Sequence, residues 1–227
     1  MNVFGLKKLV CLTAMIFLPG CLTVADSVLT NADLIDLAAL EDIEGSRKIS
    51  LEIAPPQRQK ISMTYSRFAD MHFDYSAALV DSLKSGLSIP FEITSPAKGT
   101  PHVMIAVDRI YASGFCHTIN GTPYSCSQTV KFSAWLSVDH GEGSGKPVSV
   151  NSTGTASDDS FFSAATVFEP LHKKAAHRAF ERLVRATAKR VNEEIEKRPI
   201  NPNQTAHVRG EIDSIFPISP SAIPISP

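Results

Sequence analysis

The chain has 227 residues, with 22 Lys or Arg against 23 Asp or Glu and a formal net charge of −1. That balance carries no polyanion-binding signature, and no nucleic acid is expected as a partner. Apolar residues make up 43% of the chain, enough for a packed core, and the length fits one domain with tails.

Residues 1–20 read as a signal peptide. Lys7 and Lys8 supply the positive start, and Leu9 to Leu18 is apolar except for Thr13. A run of that length suits a secretory signal and falls far short of the roughly 20 residues a spanning helix needs. It closes on Leu18-Pro19-Gly20-Cys21. This stretch resembles the lipobox of bacterial lipoproteins, with Pro19 standing where a small or hydroxyl residue is usual. The resemblance implies that the Cys21 thiol receives a diacylglycerol, that the leader is cut before it, and that the new amine is acylated, commonly with palmitate. Two or three acyl chains on one residue give stable anchoring where one chain does not. Leu22, rather than Asp, follows the cysteine. In that family this implies export to the outer membrane, facing the periplasm. The alternative is an ordinary cleaved signal with an incidental Cys21.

Cys11 leaves with the leader, so Cys116 and Cys126 remain beside the lipidation site. An even pair in an oxidising compartment predicts a disulfide. It closes a loop of about ten residues, worth roughly 2–3 kcal/mol on the chain-entropy estimate. A metal site would need His117 and a fourth ligand besides, and neither a metal nor any other cofactor is expected.

Residues 21–46 are expected to be a lipidated tether. Thr30 is placed to cap a two- to three-turn helix carrying Leu34, Leu37, Leu40 and Ile43, which either docks on the domain or floats. Lys48 to Ile53 alternates as a half-buried strand, stopped by Pro55-Pro56. Phe68, Tyr75, Leu79 and Leu83 predict a helix from about Arg67 to Gly86, with Gly86 as its C-cap. A short strand spans Ile89 to Thr94.

His102 to Ala112 alternates as a longer strand, and Gly114 to Ser127 reads as a Gly/Pro/Asn loop carrying the two cysteines. Thr129 to Asp139 alternates again, with Trp135 on its polar side. The two strands predict a hairpin whose long tip the disulfide staples. Gly141 to Gly145 is a turn, and Lys146 to Ala156 a further strand. A long helix is predicted from about Phe162 to Lys197, regular only after Pro170, with Ala176, Phe180, Leu183, Val184, Val191 and Ile195 as its apolar face. Residues 198–227 hold many prolines, with Ile-Ser-Pro at 218–220 and 225–227, and predict a disordered tail.

This order predicts one α+β domain over 47–197. It is a two-layer sandwich of a mostly antiparallel sheet of about four or five strands and two amphipathic helices. The element order resembles that of small periplasmic lipoproteins, among them the YajG type, the lipopolysaccharide-assembly lipoprotein and the N-terminal domain of TolB.

Motifs for chemistry are scarce. Gly141 to Pro147 superficially suggests a phosphate loop, but His140 stands where a glycine is needed, Pro147 where Ser or Thr is needed, and a strand follows instead of a helix. His172 and His177 are five apart, unlike a zinc helix. Asp70 with Asp74, and Asp158 with Asp159, have no pattern that points to burial, so no catalytic residue is assigned. One pattern stands out. Lys174, Arg178, Arg182, Arg185 and Lys189 fall within about 80° of arc on the last helix. They are either the solvated side of an amphipathic helix or a contact for anionic lipid, lipopolysaccharide or an acidic partner. Trp135, the single tryptophan, is either covered by a helix or an exposed interface anchor.

The expectation is a lipid-anchored, non-enzymatic accessory or adaptor protein of the cell envelope, on the periplasmic face of the outer membrane. Its partner would be a larger envelope protein complex, as the resembling families imply. The alternative is a lipoprotein module that binds lipid or glycan.

Overall fold

The computed structural model describes residues 23–42, 47–66, 69–97, 99–119, 122–140, 145–158 and 164–197. The expected leader, Cys21, residues 141–144 of the turn and the proline-rich tail lie outside them. In chain order the elements are β1 (Thr23–Val28), α1 (Asn31–Leu34), a 3-10 turn (Ala38–Leu40), β2 (Arg47–Ala54), β3 (Lys60–Ser66), β4 (Ala69–Asp74), α2 (Leu79–Leu87), β5 (Phe91–Thr94), β6 (His102–Ile119), β7 (Thr122–Asp139), β8 (Val148–Asp158) and α3 (Ala164–Lys197). The class is the α+β sandwich the element order predicts.

The strands form two sheets, β5-β2-β6-β7-β8 and β1-β4-β3. In the larger one β6, β7 and β8 make an antiparallel meander, and β2 joins β6, and β5 joins β2, in parallel. Its inner face carries Val103, Ile105, Val130, Phe132, Ala134 and Leu136, all buried. Helix α3 covers that face. The predicted apolar face of α3, from Ala176 to Ile195, is buried as expected, and so are Phe168, Leu171, Ala175, Ala179 and Ala188. The buried stripe is wide because α1 and α2 pack on α3 as well.

Four expectations are corrected. First, residues 23–42 are no tether. β1 pairs in parallel with β4, from Thr23 opposite Ala69 to Val28 opposite Asp74. Leu29, Leu34 and Leu40 are fully buried, while Leu37 stays exposed. Thr30 is the N-cap residue of α1: its backbone N–H and hydroxyl both donate to the Asp33 carboxylate, each at 2.8 Å, and the Asp33 N–H donates to the Thr30 carbonyl at 3.0 Å. Asp33 also pairs with Lys173 of α3, and Ser27 donates to Glu169 at 2.9 Å. The segment is thus fastened to the last helix by burial and by polar contacts.

Second, the helix predicted from Arg67 is two things. Residues 69–74 are strand β4, paired antiparallel with β3, and the helix proper spans only Leu79–Leu87. Met71, Phe73 and Tyr75 are buried at a period of two. Tyr75, Leu79 and Leu83 alone satisfy a helical spacing across the boundary. Gly86 lies inside α2, under Ile35 and Val184, and Ser88 is the C-cap.

Third, the cysteines sit in paired strands. The β6–β7 ladder runs on past them to Ile119 opposite Thr122, and the disulfide joins Cys116 to the directly opposite Cys126. Gly114 is not a turn residue; the Gln128 side chain occupies the space where its Cβ would be, so glycine here marks a close approach between strands. Fourth, α3 continues through Pro170 from Ala164. The missing N–H leaves one carbonyl of the preceding turn unpaired by the helix, and burial of Phe168, Leu171 and His172 around it offsets that loss.

Candidate functional site

The described surface offers three places to look: the outward face of the large sheet, the basic side of α3, and the polar cluster at the base of β2 and β6.

The outward face is set by register. β7 sends Val130, Phe132, Ala134 and Leu136 into the core, so Ser127, Thr129, Lys131, Ser133 and Trp135 point away from it. Trp135 is 41% exposed and therefore stands in the second of its two expected states, an uncovered aromatic. On β6 a bulge between Val107 and Arg109 inserts Asp108. The parity of the strand changes there. Met104 and Ala106 face outward before the bulge, and Arg109, Tyr111, Ser113 and Phe115 after it. Tyr111 is 53% and Phe115 60% exposed, and Phe115 meets the His117 ring edge-on at 5.2 Å. Sequence reading finds Trp135 but neither of these: Tyr111 lies past the bulge, which reverses the parity of its strand, and Phe115 falls in the expected loop.

The three aromatics form a row. Trp135 is opposite Ala106, Tyr111 opposite Lys131 and Phe115 opposite Ser127, so each is four ladder positions from the next. At ~3.4 Å per residue the steps are roughly 14 Å. Beside the row, β8 presents Ser149, Asn151, Thr153, Thr155 and Ser157 on the same face.

The basic side of α3 is mostly occupied. Arg178 donates to the Thr155 carbonyl and Arg182 to the Thr153 carbonyl, both at 2.6 Å. β8 is the edge strand of its sheet, so these guanidinium groups satisfy backbone acceptors that have no neighbouring strand. Arg185 reaches Asp42 at 2.7 Å and the carbonyl of Ala39. Lys174 and Lys189 are exposed. The spacing that puts five cations on one arc is real, but its central members hold the fold's edge and its N-terminal segment.

At the base, Ser50 and His102 are opposite one another on β2 and β6. The Ser50 hydroxyl contacts His102 Nδ1 at 3.0 Å, and His102 Nε2 lies 3.4 Å from Glu52 Oε2. The serine oxygen belongs to a residue only 2% exposed. A nucleophile must be reachable, so this Ser–His–Glu contact ties β2 to β6 instead of forming an attacking group. Nearby an open cleft of about 600 Å³ is lined by Arg47, Lys48, Thr100, Pro101, Ile195 and Glu196. Its cations are paired, Arg47 with Glu196 at 3.1 Å and Lys48 with Glu92 at 3.0 Å.

Asp70 and Asp74 fall on β4, not on a helix, and Asp74 accepts from Lys60 and Ser76, which hold its carboxyl low. His172 is fully buried, stacked on Phe73 at 3.5 Å, with Nε2 at 2.7 Å from the Tyr75 hydroxyl. Burial pushes its pKa down to about 3, so the ring is a neutral core group. Among the described residues no three His, Cys, Asp or Glu side chains gather as a metal site. No helix of the described residues is long and apolar enough to cross a membrane.

No protein-family model matches the chain, and no curated protein does. Among solved structures the chain is similar to rare lipoprotein B from Shewanella oneidensis, at 15% identity and a TM-score of 0.38, covering 65% of this chain and 98% of that one. It is also similar to a DUF330-family protein from Xanthomonas campestris, at 10% identity and a TM-score of 0.38, covering 78% and 100%.

Proposed function

We propose that the protein is a lipid-anchored, non-enzymatic accessory protein of the bacterial cell envelope. It sits on the periplasmic face of the outer membrane and acts as an adaptor that docks on a larger envelope component. The observation that carries this reading is a juxtaposition. The first strand begins at Thr23, two residues after the lipobox-like Cys21, while the outward sheet face bears three exposed aromatics. Such a build holds a binding face at the membrane. The lipid-binding alternative loses weight because Arg178, Arg182 and Arg185 are engaged within the fold. The enzyme class gains no support from the Ser50–His102–Glu52 contact, whose hydroxyl is buried.

The test is fractionation of cells expressing the native chain and Cys21→Ser. The native protein should sediment with outer membrane and carry the mass of the acyl chains. The variant should lose both. Membrane retention of Cys21→Ser with an unchanged mass overturns the anchor, and with it the adaptor reading.

A further inference from the structure

We propose that the outward face of the large sheet binds an extended acidic polysaccharide strand. The inference goes beyond the adaptor reading by giving this face a glycan partner, and it rests on that face being a contact surface.

The chemistry of the face carries it. A protein-docking patch gathers its apolar residues into one desolvated centre. Here the aromatics are separated, each roughly 14 Å from the next along the strands, so no continuous apolar patch exists. Between and beside them stand short hydroxyl and amide side chains such as Ser133, Thr129, Asn151 and Thr155. A sugar ring has an apolar C–H face that stacks on an aromatic ring and an equatorial girdle of hydroxyls. A row of aromatic platforms among hydroxyls and amides offers both partners along one line. The row spans about 27 Å over eight ladder positions, which suits an extended strand and is far longer than a monosaccharide needs.

Charge sets the kind of strand. Between the levels of Trp135 and Phe115 the ladder positions facing outward hold two charged residues, Arg109 opposite Ser133 and Lys131 opposite Tyr111. Both are exposed. Asp108, the extra residue of the bulge, is the carboxylate beside this stretch, while Glu52 and Asp139 lie past the Trp135 end of the row. Two cations flanking Tyr111 place positive charge where a uronic-acid carboxylate would lie when its ring stacks there. The Cys116–Cys126 cross-link ties β6 to β7 beside Phe115, at the far end of the row.

Trp135 is the single tryptophan and lies in the row, so its fluorescence reports occupancy directly. The experiment uses the mature, full-length lipoprotein in detergent micelles, titrated with a galacturonate oligosaccharide long enough to span the row and, separately, with cellohexaose. The galacturonate strand should change Trp135 emission saturably and shield it from iodide, with weaker binding as salt rises. Arg109→Gln with Lys131→Gln should weaken that binding by roughly tenfold or more. Tyr111→Ala and Phe115→Ala should each weaken it several-fold, and because all four side chains are exposed the fold survives the changes. No saturable response, a response these variants leave unmoved, or equal binding of cellohexaose overturns the proposal. So does a concentration-dependent dimer that Trp135→Ser abolishes, which would assign the face to a second copy of the chain. Membrane fractionation of Cys21→Ser reads the anchor independently, so the two readings fail separately.

Discussion

A single methyl group marks how closely the last helix and the edge strand approach. A Cβ added at Gly154 would lie 2.1 Å from the Ala175 carbonyl oxygen and 2.4 Å from the Ala179 nitrogen, both helix backbone. Neither atom can give way as a flexible side chain does, so α3 must lift off β8. Gly154→Ala should therefore cost about 3 kcal/mol, at the upper end of overpacking effects, measured as a lowered midpoint in urea. His172 makes a pH-dependent contribution. Its folded pKa, about 3, lies below the unfolded value of 6.5, so the unfolded chain binds more protons between them. The stability due to the neutral ring is complete above pH 6.5 and is lost as pH falls toward 3. Between pH 6.5 and 5 the loss should be roughly 2 kcal/mol, and His172→Phe should flatten that slope in melting curves. The sequence places Gly154 and His172 without distinguishing them, because what matters at each is a surface supplied by another element. Trp135 was legible as an outward residue from alternation alone. Tyr111 and Phe115 were not, since the inserted Asp108 reverses the parity of the strand that carries them.

Elements divide similarly. The long helix after Pro170 and the strands of the β6–β7–β8 meander outside Gly114–Ser127 form where predicted. The β3–β4 hairpin is not. Residues 69–75 alternate as a strand, yet Tyr75 also begins a helical spacing with Leu79 and Leu83, and only pairing with β1 and β3 decides between them. The basic stripe on α3 shows the same gap between pattern and use. Its spacing is visible in the sequence, but the acceptors of Arg178 and Arg182 are main-chain carbonyls of β8, which no side-chain pattern reveals. Those two arginines occupy the acceptors that would otherwise template an added strand. Arg178→Ala with Arg182→Ala should leave the core intact, lower stability by about 1–2 kcal/mol and raise concentration-dependent aggregation, read by light scattering on mild heating. Lys174→Ala with Lys189→Ala removes the same charge without opening the edge and should leave aggregation unchanged.

Over the whole molecule, the error that mattered was the placement of the domain's beginning. Residues 23–42 mix apolar and acidic residues without a sustained period, and their buried leucines Leu29, Leu34 and Leu40 join a core built by other elements. The class of fold survived that error because the large sheet and α3 supply most of the core. The packing of Phe73 on His172 of α3, and of Tyr75 on that ring and on Phe132 of β7, could not be read from either strand alone. The early start of β1 also sets the mechanics of an anchored molecule. On the proposed anchor at Cys21, Leu22 alone separates the lipidated residue from β1 in sequence, so two inter-residue steps of ~3.8 Å would bound the leash. Such a leash would hold the end of the small sheet where Thr23 and Ala69 pair toward the bilayer. A protein on such a leash swivels about a point instead of sweeping a volume, so whatever it meets must be brought to within its own height of the membrane.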